Sequence, residues 1–256
     1  MTDKLNYLIK YLLHENADYE NFKIPESAEE GFRLFRGLAN VRAPKPVSEE
    51  FLTIQDEFLK EKTASKGVVD YKALTPIKPR IYLWQGDITT LQCGAIVNAA
   101  NSAMLGCFCP CHGCIDNAIH TFAGVQLRME CAEIMRKQGF EEPIGRAKIT
   151  GAYNLPCYKI IHTVGPYVGG TLTQTHCEQL EACYRECLKT AVQNGISSIA
   201  FCCISTGEFH FPNKKAAEIA VKTVSEFLQG NSDIEVIFNV FKDDDCAIYK
   251  QLLCGN

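Results

Sequence analysis

Residues 106–120 read GCFCPCHGCIDNAIH, and four cysteines and a histidine fall within the eight positions 107–114. Thiolate and imidazole are the ligands that Zn2+ takes in tetrahedral sites. Four of the five donors would close a structural shell, whereas three would leave a position for water or substrate. The spacing leaves open a fourth ligand from Cys109 or Cys111, an iron–sulfur site, or a set of metal-free thiols. Structural zinc usually draws its ligand pairs from separated segments. Here every donor sits on one short loop, which favours an open site. Asp116 follows two residues after Cys114. In CIDNAIHTFAG it occupies the first turn of an expected helix, the end at which the macrodipole favours a carboxylate. It is either a local cap or a general base that orients water beside a metal.

Two further segments have site-like chemistry. STGEFHFPNKK (205–215) links an apolar run to a helical pattern, so backbone N–H groups and a helix N-terminus converge there, as phosphate requires. It matches neither a Walker A loop nor a dinucleotide fingerprint. NAANS (98–102) follows another apolar run. His120, His162, Cys157, Cys203 and Trp84 read as packing residues.

These segments need a scaffold, and from residue 80 onward short apolar runs alternate with helical ones. IYLW (81–84), AIVNAA (95–100), AKITGAY (147–153), KIIHTV (159–164), SIAFCCIS (198–205) and EVIFNV (235–240) read as buried strands. Leu180, Cys183, Tyr184, Cys187, Leu188 and Ala191 mark a helix, with Thr175 and Glu178 as its capping box and Gly195 as its stop. Another helix runs from Asn213 to near Gly230. The expected fold is a three-layer α/β/α domain around a mixed sheet, with ligands at the carboxyl ends of the strands.

Before this domain the pattern is helical. Leu5, Leu8, Ile9, Leu12 and Leu13 form one stripe, Ser27 and Glu30 cap a second helix, and a third begins near Ser48. All fourteen cysteines lie from Cys93 onward, and prolines punctuate residues 44–79. We therefore expect a helical extension over residues 1–75 and the main domain over 76–256. The extension reads as packing, without chemistry of its own.

Composition narrows the function. A formal charge of −4 gives no electrostatic reason for nucleic-acid binding. No apolar run is long enough to span a membrane. MTDKLNYLIKYLLHENADYE lacks the core of a signal peptide, so a cytoplasmic protein with mostly free thiols is expected. Nothing requires more than a monomer.

Five segments, QGDIT (85–89), VNAAN (97–101), DNAIHTFAG (116–124), IHTVGP (161–166) and ISTGEFHFP (204–212), together resemble the landmarks of the macrodomain family of ADP-ribose-binding modules, in order. Many hydrolytic members carry a glycine-rich loop where this chain has GCFCPCHGC. The pattern G-C-F-x-P-x-H-x-C-I-D-N resembles instead the zinc-dependent branch, which also carries a helical N-terminal extension. The resemblance implies one Zn2+ on Cys107, His112 and Cys114, with Cys109 and Cys111 as bystanders. It implies removal of mono-ADP-ribose from modified proteins, in microbes often alongside a sirtuin-like ADP-ribosyltransferase.

By the same resemblance, Asp116 and Asn101 are catalytic. Asp87 accepts from the adenine amino group beside Ile88, and Asn98 and Asn101 line the distal ribose. Backbone amides of Gly113, Cys114, Ile115, Ser205, Thr206, Gly207, Glu208 and Phe209 cradle the diphosphate, with Phe209 stacking near the distal ribose. Glu208 and His210 depart from the aliphatic residue and glycine common in the family, and a Glu208 carboxylate facing a diphosphate would be repelled. The competing expectation is a non-catalytic reader of ADP-ribose with a structural zinc.

Overall fold

The computed structural model describes residues 2–19 and 22–255. Three helices come first: α1 (Asp3–His14), α2 (Ala28–Val41) and α3 (Glu49–Ser65). Each starts at a hydroxyl that accepts a free helix N–H: Thr2 from Leu5, Ser27 from Glu30 and Ser48 from Phe51. The stripe Leu5, Leu8, Ile9, Leu12 and Leu13 is buried against Phe35, Phe51, Phe58 and Leu59 in a core of its own. Burial of each such side chain contributes roughly 1.5–3 kcal/mol. Phe32 packs against both this core and the main one.

The segment before residue 76 is not all helix. Strand β1 (Val69–Asp70) pairs in parallel with β3 (Leu91–Gln92), and Tyr71 enters the main core. The central sheet uses β2 (Ile81–Gln85), β4 (Ala95–Ala100), β5 (Ala147–Gly151), β6 (Lys159–Val164), β7 (Ser198–Phe201) and β8 (Glu235–Val240). All six start with the expected apolar runs, although β5 and β7 end at Gly151 and Phe201, short of the runs to 153 and 205; their order is β2-β8-β7-β4-β6-β5, with β5 alone antiparallel.

Helices α4 (Ile115–Ala123) and α5 (Val125–Gln138) lie against β4 and β5, while α6 (Gln174–Gln193), α7 (Asn213–Gln229) and α8 (Asp243–Cys254) pack side by side. His162 of β6 meets His120 of α4, whereas the next residue, Thr163, lies beside Cys183 and Cys187 of α6. Successive strand residues face opposite ways, so the helices cover both faces and the sheet is the middle of three layers. No helix among the described residues is long and apolar enough to cross a membrane.

One cap differs from expectation. Helix α6 begins two residues early, where Thr173 accepts from the His176 N–H and the His176 ring takes the Thr173 N–H. A histidine thus does the work that the sequence pattern assigned to Glu178, and Thr175 lies inside the helix.

Because β2, β4, β6, β7 and β8 run in parallel, the loops that follow them gather on one rim. In sheet order they bring Asp87, Phe241, the 205–211 loop, Asn101 with the cysteine loop, and Gly165. The candidate site is this rim.

Candidate functional site

The ligand atoms of Cys107, His112 and Cys114 all lie within 4.8 Å of one another. Cys107 Sγ is 3.7 Å from His112 Nδ1. Two ligands about 2.3 and 2.1 Å from one tetrahedral ion would sit roughly 3.6 Å apart, so the donors fit Zn2+. Cys114 is the N-cap of α4, its Sγ accepting the Asn117 N–H at 3.4 Å. Burial among apolar neighbours pushes its thiol up to about 12. Cys109 is exposed, and Cys111 points its thiol to the Arg33 carbonyl at 3.2 Å. Neither belongs to the converging set. The Cys109→Ser/Cys111→Ser double variant should therefore keep wild-type metal content and turnover, as metal analysis and a release assay would read.

Asp116 lies one residue into α4, two beyond Cys114, and is only 5% exposed. Asn98 Nδ2 donates to its Oδ1 at 2.8 Å, and Asn101 Nδ2 reaches its Oδ2 at 3.4 Å. Burial raises its carboxyl to about 6, against the Asn98 hydrogen bond and the Arg128 charge. Asn98 has no exposed surface and also donates to His162 Nδ1 at 3.1 Å. It holds Asp116 and does not open toward a ligand. Asn101 is half-buried and also donates to the Gly106 carbonyl at 3.2 Å, tying the carboxylate to the start of the cysteine loop. Gly106 adopts φ +78°, and a β-carbon there would lie 2.7 Å from the His120 ring. The loop can pass flush over that histidine only as glycine.

His120, read as packing from the sequence, has Nε2 at 3.5 Å from Asp116 Oδ1. Both of its ring nitrogens are buried without a hydrogen-bond partner. Burial, His162 and Arg128 hold it well below the ordinary histidine range, hence neutral. The spacing of aspartate and histidine four apart on an expected helix was the available signal. His120 also lies near Cys131 and His162. The His162 nitrogens are engaged by Asn98 and Thr150, which leaves that trio one donor short.

The loop after β7 turns at Ser205, where φ is +65°. Thr206 directs its N–H back to the Cys203 carbonyl at 3.4 Å, and Phe211 donates to Ser205 at 2.9 Å. Among the described residues, the N–H groups of Gly207, Glu208 and Phe209 donate to no backbone carbonyl. The same holds for Gly113, Cys114 and Ile115 at the head of α4. Thr206 thus drops out of the expected anion cradle, and the remaining amides stay available. Bare backbone at Gly165 is required here: a β-carbon would sit 2.0 Å from Ser205 Oγ. Glu208 leans across to His112, its Oε1 3.5 Å from Nε2.

At the far end, Asp87 Oδ1 accepts from the Thr89 N–H at 3.0 Å, and Oδ2 accepts from Lys66. Burial opposes the charge on Asp87, but Lys66 and Thr89 outweigh it and hold the carboxyl below its usual range. Ile88 is buried and can offer a ligand its backbone only.

This geometry has close relatives. A family profile described as Macro domain matches residues 97–220. The chain is 53% identical over 252 residues to a protein-ADP-ribose hydrolase of Treponema medium, spanning 96% of this chain and 97% of that one. It is 51% identical to the protein-ADP-ribose hydrolase of Staphylococcus aureus strain MRSA252, spanning 97% and 94%. The chain belongs to the macrodomain family. A Trypanosoma brucei macrodomain solved in complex with ADP-ribose superposes with a TM-score of 0.65 at 31% identity, over 90% of this chain and 97% of that one. On this macrodomain the sequence reading passed over Phe241, an aromatic 75% exposed just after β8. It stands beside the Asp87 loop, where Gly86 donates to Val240. An exposed aromatic directly after a buried strand was its only trace in the sequence.

Proposed function

We propose that this macrodomain removes mono-ADP-ribose from modified proteins, with Zn2+ on Cys107, His112 and Cys114. The single observation that carries the reading is a buried carboxylate, Asp116, gripped by two amides and lying two residues beyond Cys114, the last of three converging metal donors. A module that only reads ADP-ribose needs neither. The names of the Treponema and Staphylococcus relatives point the same way.

Two thiolates and a neutral imidazole would give the metal no formal net charge, so Zn2+ there would chiefly orient the distal ribose and water. The chain's own residues do the rest. Asn98 and Asn101 fix the Asp116 carboxylate. Burial makes that carboxylate a better proton acceptor from water than an exposed one. The water oxygen bonds to the anomeric carbon of the distal ribose. The bond to the protein side chain breaks, its electron pair leaves with that side chain, and a proton restores the group. Neutral His120 lies 3.5 Å from Asp116 Oδ1, the oxygen that Asn98 also grips. Free N–H groups of Gly207, Glu208 and Phe209 bind the diphosphate. Phe241 and Asp87 hold the adenine. A sirtuin-like ADP-ribosyltransferase is the kind of enzyme that would supply the substrate.

Asp87→Ala should weaken ADP-ribose binding by about 10- to 100-fold, the worth of a charge-assisted hydrogen bond. Calorimetry reads this, and an unchanged Kd would remove Asp87 from the adenine site. The function itself is tested by incubating the protein with mono-ADP-ribosylated proteins of defined linkage. Free ADP-ribose should appear; binding without release would favour the reader.

A further inference from the structure

Helix α2 reaches into the metal end of the cleft. Arg36 donates from Nη2 to the His112 carbonyl at 2.7 Å. From Nε and Nη2 it also grips Asn117 Oδ1, at 3.0 and 2.7 Å. Asn117 is fully buried, spends its own amide on the Cys109 carbonyl at 2.9 Å, and caps the Cys114 thiol with its backbone N–H. One turn further along α2, Asn40 accepts the Cys111 N–H at 2.9 Å. Cys111 has φ +54°, a left-handed conformation that a β-carbon disfavours. The backbone between the metal donors is thus tied to α2 on one side and α4 on the other.

We propose that Arg36 is a positioning residue for the metal loop, setting His112 and Cys114 in place for Zn2+ through the His112 carbonyl and Asn117. The inference rests on the zinc reading above. The 107–114 loop has no helix or strand to hold it, and ordering each free residue carries an entropic cost. A loop already ordered by Arg36 meets that cost in folding and not in metal binding, which raises affinity. Partners that orient metal ligands from outside typically change metal affinity by 10- to 100-fold. The planar fork matters as well as the charge. Two guanidinium nitrogens meet one amide oxygen while Nη2 also reaches the carbonyl, an arrangement an ammonium cannot copy.

Arg42 provides the contrast. Its guanidinium pairs with Glu15 of the extension at 2.6 Å and touches none of the 107–114 loop, so Glu15→Ala loosens the helices without freeing the donors. The experiment uses the full chain loaded with zinc and titrates a chromogenic chelator against wild type, Arg36→Ala, Arg36→Lys and Glu15→Ala. Thermal midpoints and ADP-ribose calorimetry are measured on the same samples. Arg36→Ala should release zinc at about 10- to 100-fold lower chelator, and Arg36→Lys should recover little of the loss. Glu15→Ala should lower the midpoint yet keep zinc as wild type does. ADP-ribose Kd should change far less than zinc affinity, because Asp87 and the amides of Gly207, Glu208 and Phe209 lie on other loops. The inference is overturned if Arg36→Ala holds zinc as tightly as wild type, or loses it no more than Glu15→Ala. It also falls if Arg36→Lys, which keeps the charge and stem should the alanine variant fail to fold, retains wild-type affinity. Wild type that takes up no zinc would overturn the metal assignment, and this inference with it.

Discussion

Asp116→Ala and Asp116→Asn should each lower the release of ADP-ribose by at least about 10^3-fold, toward the upper end of what a positioned general base contributes. Free ADP-ribose should still bind within about threefold of wild type. The two effects separate because the carboxylate is buried and its oxygens are engaged by Asn98 and Asn101, while Asp87 and the amides of Gly207, Glu208 and Phe209 lie on other strands' loops. The asparagine variant is the cleaner of the two. It keeps the shape between Asn98 and His120, whereas alanine leaves the Asn98 amide without its acceptor, at roughly 1–3 kcal/mol of stability. Single-turnover release from a mono-ADP-ribosylated protein, beside calorimetry with ADP-ribose, reads both quantities. Asp116→Asn within tenfold of wild-type turnover would strip Asp116 of its role.

Cys107→Ser and His112→Ala should each lose zinc and turnover together, with turnover down at least about 10^2-fold, since a bound metal stabilises such reactions by several kcal/mol. These two positions are better choices than Cys114, whose thiol also caps α4, so that its loss would mix a helix effect with a metal effect. The loop should outlive either change, because Arg36, Asn40 and Asn117 hold its backbone independently of the metal donors. Metal analysis, thermal midpoint and turnover on the same preparations check this. A variant that stays folded and active without zinc would contradict the metal assignment.

Much of this was legible from residue types alone. The inner strands of the central sheet are buried on both faces, and such strands read as unbroken apolar runs. AIVNAA and KIIHTV announced themselves that way. The candidate donors stood out because they share one short loop, but the choice of Cys107, His112 and Cys114 over Cys109 and Cys111 came from the resemblance to the zinc-dependent branch, not from spacing. What escaped reading was set by distance or by charge. Helix α5 buries Arg128 among its apolar residues and so breaks the stripe that marks an amphipathic helix, and α8 opens on three aspartates that suit a helix N-terminus but resemble a loop. The extension was read as chemically silent, yet Arg36 grips Asn117 across 81 residues and Lys66 grips Asp87 across 21. Such pairs leave no periodic trace. His120 was read as a packing residue; it is buried, and its approach to Asp116 at 3.5 Å left no trace in the sequence beyond the four-residue spacing.

The most direct test of the account is one sample carried through three states. Purified protein is assayed for zinc and for release of ADP-ribose from a mono-ADP-ribosylated protein as isolated, after chelation, and after zinc is returned. The account predicts one zinc per chain, loss of release on chelation with the fold and ADP-ribose binding retained, and recovery when zinc is restored. Undiminished release from folded, zinc-free protein would contradict it.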